Sequence, residues 1–206
     1  MLHFQLRVFA WDESPKGQPL LSATEDIVFF PLQLVLAPGE ERKARLGRTV
    51  PVDSSEKTYR LFVDQLPPPE KARGSQHESG FQHESEVRMM ARVTIPIFIQ
   101  PNKQVTEGRV EEMAMRKGLF SFQIKNTGNI HFLPQDIRIS GFGVAGEAIF
   151  ERKLNGWYVL AGGLRVYELD LSKEDCFRIK ALAVELKAAN LTVKDRFHIP
   201  PGACGQ

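Results

Sequence analysis

Residues 87–101, VRMMARVTIPIFIQP, carry an apolar side chain at every odd position: Val87, Met89, Ala91, Val93, Ile95, Ile97 and Ile99. A period of two is a strand's period, so these side chains share one face. The other face is only partly polar, because Met90, Pro96 and Phe98 interrupt it. Strands average about five or six residues, yet no Gly, Asn or Asp turns this segment before Asn102. The pattern predicts one unusually long strand over 87–101, apolar on two faces and carrying a proline. A central strand buried on both sides would read this way.

The same period recurs along the chain. Leu2, Phe4, Leu6 and Val8 alternate with His3, Gln5 and Arg7. DIVFF and LQLVL follow, split by Pro31. APGEE (37–41) reads as a turn, Pro38 supplying the fixed φ and Gly39 the permissive one. Tyr59, Leu61 and Val63 alternate with Arg60, Phe62 and Asp64 before a run of prolines. Pro101-Asn102 breaks the pattern and predicts a domain boundary, dividing the chain into 1–101 and 102–206. Beyond it, LFSFQIKNTGN is a strand entering a turn, and IHFLPQDIRIS is a strand with a mid-run proline, which favours an edge or a bulge. ERKLNGWYVLA carries Asn155-Gly156, a hairpin signal. LRVYELDL alternates. FRIKALAVEL is read as strand in its first part, through Phe177, Ile179 and Ala181. Short strands, frequent turns and no sustained amphipathic helix predict an all-β protein of two sandwiches.

Composition narrows the function classes. The chain has 206 residues, 42% of them hydrophobic, and a net charge of +2 with acids and bases interspersed. It has length enough for two cores, and its charge offers no footprint for nucleic acid. No stretch reaches the roughly 18 apolar residues of a membrane span.

Catalytic chemistry finds little support. GFGVAG (141–146) matches a dinucleotide-binding pattern, but no βαβ unit surrounds it, so a glycine-rich β-turn is the reading. No Ser sits in a nucleophile elbow, and no His pairs by spacing with a Cys or Asp. His131 and His198 lie in strand contexts, as structural histidines do. A doubled QHES places His77, Glu78, His83 and Glu84 in a polar loop, without a recognised zinc spacing. No catalytic residue, metal or cofactor is assigned. Cys176 and Cys204 are either two independent thiols or one disulfide, which needs an oxidising compartment.

Several stretches, in order, resemble the periplasmic pilus-assembly chaperones of the chaperone–usher pathway: LRVFAWDE, LQLVLAPGEERKARL, YRLFVDQLPP, VTIPIFIQP and NTGN. The IPIF form suggests a divergent, archaic or spore-coat-type branch. The resemblance implies two immunoglobulin-like domains set at an angle, the first lacking its first strand. It implies a non-enzymatic periplasmic protein that binds, folds and caps pilin-like subunits and delivers them to an outer-membrane usher, with no cofactor. It also explains the long strand. In the family this strand completes the subunit's open core by donor-strand complementation, main-chain bonds giving affinity and alternate side chains filling pockets. The client-facing residues would be Val87, Met89, Ala91 and Val93. The alternative is an adhesive or structural two-domain sandwich that self-associates through the same edge strand.

Two departures from the family bear on mechanism. The family holds the client's terminal carboxylate with two basic residues, one of them a Lys on the long strand; here that position is Pro96. Arg92, on the same face about 13 Å along the strand, is the candidate replacement. Gln65 and Gln100 fall where the family places linking charges, and a neutral hydrogen bond is expected there. The family's first strand also carries the second anchoring base and follows a signal peptide; MLHFQLRVFAW begins inside a strand, so an upstream reading frame encoding both is expected.

Overall fold

A computed structural model describes residues 1–67 and 89–205. Val87 and the doubled QHES loop lie outside the described residues. The described chain holds fourteen strands and one short helix, so the all-β expectation stands. Contacts divide it into two compact units. The first comprises Met1–Ala10, Ser22–Pro51 and Tyr59–Ile97; the second comprises Trp11–Leu21, Val52–Thr58 and Phe98–Gln206. The expected boundary at 101 is linear, whereas the second unit also takes in two segments from before it.

β1 (Leu2–Glu13), which belongs to the first unit as far as Ala10, is the spine of the first sheet. One side pairs with β6 (Lys57–Leu66), Gln5 facing Asp64 and Arg7 facing Phe62. On its other side lie β2 (Pro19–Ala23) and β4 (Gln33–Leu36). β7 (Arg92–Ile99) closes the order β2-β1-β6-β7. β3 (Ile27–Phe30) and β5 (Arg45–Arg48) form a separate two-stranded sheet. The alternation of β1 and β6 sends Leu6, Val8, Tyr59 and Leu61 into the core. Tyr59 is fully buried and donates its hydroxyl to Asp26 Oδ2 at 2.7 Å, just ahead of β3. Burial first, then the Asp26 carboxylate, pushes that phenol well above its usual range. The APGEE turn forms as expected: Glu40 N–H bonds the Ala37 carbonyl at 3.0 Å, and Gly39 has φ +75°.

The second unit stacks two sheets. One runs β11 (Ala148–Leu154), β10 (Asp136–Phe142), β13 (Ala181–Ala188), β14 (Leu191–His198). The other runs β12 (Leu164–Asp170), β9 (Leu119–Asn126), β8 (Gly108–Arg116). Alternate residues of β9, β10 and β13 (Phe120, Phe122, Ile124, Ile137, Ile139, Leu182, Val184 and Leu186) are completely enclosed. The NTGN turn locks one end. Asn126, wholly buried, donates to the carbonyls of Ile130 and Val159, both at 2.9 Å, and accepts from Gly128 N–H. Asn129 accepts from Val105 N–H and donates to the carbonyls of Ser54 and Lys103.

Three sequence expectations are corrected. The long strand spans Arg92–Ile99, eight residues; Met89–Ala91 precede it in irregular backbone. Phe177 lies not in a strand but in α1 (Lys173–Arg178). Ser172 caps that helix by accepting Asp175 N–H, and Glu174 and Asp175 suit its N-terminal dipole. Asn155-Gly156 makes no two-residue hairpin. β11 pairs back on β10, and Val159 instead bridges Phe132; Gly156 passes so close to the Pro134 carbonyl that a Cβ there would collide. GFGVAG is the β10–β11 turn, with Gly143 N–H on Glu147 O at 2.9 Å. It opens no helix and no phosphate cradle.

Candidate functional site

The first unit is open along β7. Gln65 N–H bonds the Ala91 carbonyl at 2.9 Å and the Gln65 side chain accepts from Ala91 N–H. That alignment sets Arg92 opposite Asp64 and puts Val93, Ile95, Ile97 and Ile99 on the face shared with Tyr59 and Leu61. Those β6 residues are buried. On β7, only the far end follows suit: Val93 is 54% exposed and Ile95 44%, against 8% for Ile99, and Met89, ahead of the strand, is 86% exposed. Core-facing aliphatic side chains are therefore uncovered at one end of an edge strand. Apolar surface left open in this way marks a binding site more often than a scattered exposed Leu does.

The opposite face of the same strands is charged. Arg7 places Nε and Nη2 on Asp64 Oδ2, at 3.2 and 2.6 Å. Arg92 donates Nε to Asp64 Oδ1. Each guanidinium lies over a ring, Arg7 over Phe9 at 5.8 Å and Arg92 over Phe62 at 5.5 Å, and the two rings meet edge to face. Burial raises the Asp64 carboxyl, and the bonds from Arg92 and Arg7 outweigh it, so it sits below the usual carboxylate range. Two cations on one carboxylate leave a net positive charge beside the exposed apolar strand.

The sequence-predicted residues separate here. Met89 and Val93 lie at the open edge and Ala91 begins its pairing; Arg92 sits on the charged face. Arg7 and Asp64 carried no sequence signal beyond their places on the polar faces of two strands. Gln65 is engaged by Ala91, and Gln100 accepts from Gln104 at 3.0 Å. His131 is structural: its Nδ1 lies 2.7 Å from buried Glu56 Oε1, and its ring stacks on Phe98 at 3.7 Å. Cys176 and Cys204 are joined, with Cα atoms 5.8 Å apart. No cluster of three or more metal-ligating side chains occurs among the described residues, nor is any described helix long and apolar enough to cross a membrane.

Comparison with solved structures places this architecture. The class 5 fimbriae chaperone CfaA superposes with a TM-score of 0.58 at 11% identity, over 97% of this chain and 86% of its own. The CsuC–CsuE chaperone–tip adhesion subunit pre-assembly complex, from archaic chaperone–usher Csu pili of Acinetobacter baumannii, gives 0.58 at 19% identity, over 93% and 84%. A complex of a chaperone and tip adhesin of CFA/I fimbriae gives 0.54 at 12% identity, over 97% and 86%. The fold is that of the fimbrial chaperones. No family model matches the sequence, and no curated protein matches it. The chaperone fold, with its two β-sandwich domains, accounts for nearly the whole chain.

Proposed function

We propose that the protein is a non-enzymatic periplasmic chaperone of a chaperone–usher pathway, which binds and caps pilin-like subunits and passes them to an outer-membrane usher. The observation that carries this reading is the exposure of Val93 and Ile95 on an edge strand of the chaperone fold, with Met89 exposed just ahead of it. An incomplete subunit core gains main-chain bonds from the strand and apolar fill from alternate side chains. Val87, Met89, Ala91 and Val93 are the proposed contacts. Unbranched, polarisable Met suits packing against more than one client. Arg92, with Arg7 beside it, is the proposed anchor for the client's terminal carboxylate, in place of the Lys that Pro96 displaces.

Co-expression with small subunits encoded beside its gene tests the reading. Met89→Glu buries a charge in the client's apolar groove, a penalty of several kcal/mol, while leaving the chaperone's own core intact. Capture should be lost with the fold retained. A variant that co-purifies with subunit as well as wild type does would exclude strand donation.

A further inference from the structure

We propose that Pro96 makes the β7 edge one-sided: it weakens pairing with a second copy of this chain and ends the pairing of a foreign strand at the Pro96 carbonyl. The partner's identity rests on the strand-donation reading above; the geometry of the edge does not.

Backbone groups of a strand alternate in direction along with the side chains. The Ala91 carbonyl bonds Gln65 N–H on β6, so Val93, Ile95 and Ile97 also turn their N–H and C=O toward β6. The ion pair of Arg92 with Asp64 fits this alignment, because directly opposed side chains approach most closely at the pair without hydrogen bonds. Arg92, Thr94, Pro96 and Phe98 therefore point their backbone groups away from the sheet. Among the described residues, β7 pairs only with β6. Proline lacks an N–H and is tolerated where that N–H would face outward from an edge, which is where this parity puts Pro96. Phe98 is already packed against Trp11, Tyr158 and His131. The usable edge is Arg92, Thr94 and the carbonyl of Pro96.

A second copy fits this edge poorly. Two-fold antiparallel pairing centred on Thr94 sets each Pro96 against the other copy's Arg92, and two hydrogen bonds are missing by symmetry. Centring on Arg92 places two guanidiniums side by side, which is unfavourable for directly opposed like charges. Centring on Val93 pairs Arg92 with Thr94 on both sides but leaves each Pro96 against the other copy's Met90, outside the strand, so the ladder stops after those two pairs. A foreign extended segment meets Pro96 once at most, and can end there. The occupant is therefore a strand of another polypeptide, apolar at alternate positions to cover Val93 and Ile95, and without a cation opposite Arg92. Edge prolines and charges are a known defence against edge-to-edge association.

Pro96→Val restores the outward N–H. Sedimentation velocity of the purified chain should show self-association tightened about tenfold or more relative to wild type, from two restored bonds per dimer. Equal association of variant and wild type overturns the proposal. Amide hydrogen exchange of wild type gives a reading that needs no variant. Thr94 N–H should exchange rapidly while those of Val93, Ile95 and Ile97 are protected. Protection of Thr94 matching that of Val93 overturns it as well. Tightened association of Pro96→Val in a protein that captures no subunit would leave this inference standing and remove the strand-donation reading instead.

Discussion

Arg7 grips Asp64 through two nitrogens on a single carboxylate oxygen, and Arg92 takes the other oxygen from the far side. One largely enclosed carboxylate thus ties three adjacent strands, β1, β6 and β7. Removing it leaves two guanidiniums facing each other. Asp64→Asn should lower stability by about 1–2 kcal/mol in urea unfolding, the exposed sides of both arginines keeping the value modest.

The same bonds predict a pH dependence. The folded-state pKa of Asp64 is depressed, so its contribution is fully present above the unfolded-state value of about 3.9 and is lost as pH falls through the lower folded value. Urea midpoints of wild type and Asp64→Asn should differ above about pH 5 and converge at the acid end. A constant difference down to the lowest pH that maintains a folded protein would disprove the link to ionisation.

Arg92→Ala should weaken subunit capture by about ten- to a hundredfold, the range for losing one charge-assisted hydrogen bond. Because Arg92 also serves Asp64, stability of the free protein must be measured beside capture. Arg92→Lys retains the charge and should recover part of the affinity. Equal capture by Arg92→Ala and wild type would remove Arg92 from the anchoring role.

The strands of the second unit were legible because alternation continues across β9, β10 and β13, where burial on one face follows every second residue. α1 was not legible: six residues are too few to express a 3.6-residue period, and its cap residue, Ser172, reads equally well as a turn. Asp64 was visible as a polar-face residue, but its meeting with Arg7 and Arg92 depends on register, which no local pattern contains. Apolar alternation over 87–101 pointed to the right strand and overstated its described length: Met89–Ala91 keep the apolar period without strand backbone, and Ala91 N–H goes to the Gln65 side chain rather than to a β6 carbonyl.

The disulfide between Cys176 and Cys204 fastens the C-terminal tail to α1, and Gly118 N–H bonds the Ala203 carbonyl beside it at 3.1 Å. The cysteines are 28 residues apart; a closed loop of that length corresponds to about 3.5 kcal/mol of chain entropy in the unfolded state. Cys176→Ser with Cys204→Ser, or reduction by dithiothreitol, should lower the urea midpoint accordingly. Mass spectrometry of alkylated, non-reduced protein checks the bridge directly, since bridged cysteines remain unlabelled.

Glu13 offers a last measurement, in which two substitutions act through a third residue. Its Oε1 accepts Trp157 Nε1–H at 2.9 Å and its Oε2 accepts from Arg165 at 3.1 Å, with both charged side chains largely enclosed. The Arg165 guanidinium lies directly against Gly17, so a Cβ at that position would collide with it. Gly17 also has φ +76°, as Gly39 has +75° with nothing within 4 Å. Ala at either position carries the left-handed penalty of about 1–2 kcal/mol. Gly39→Ala should show that penalty alone. Gly17→Ala must in addition push Arg165 away, and the guanidinium can move only by loosening its hold on Glu13. Gly17→Ala should therefore destabilise more than Gly39→Ala, and Trp157, partly exposed, should report the change in its emission. Once Glu13→Ala has freed Arg165, the extra cost of Gly17→Ala should shrink toward that of Gly39→Ala, a non-additivity of about 1 kcal/mol. Strict additivity of Gly17→Ala and Glu13→Ala would show that Arg165 does not couple them.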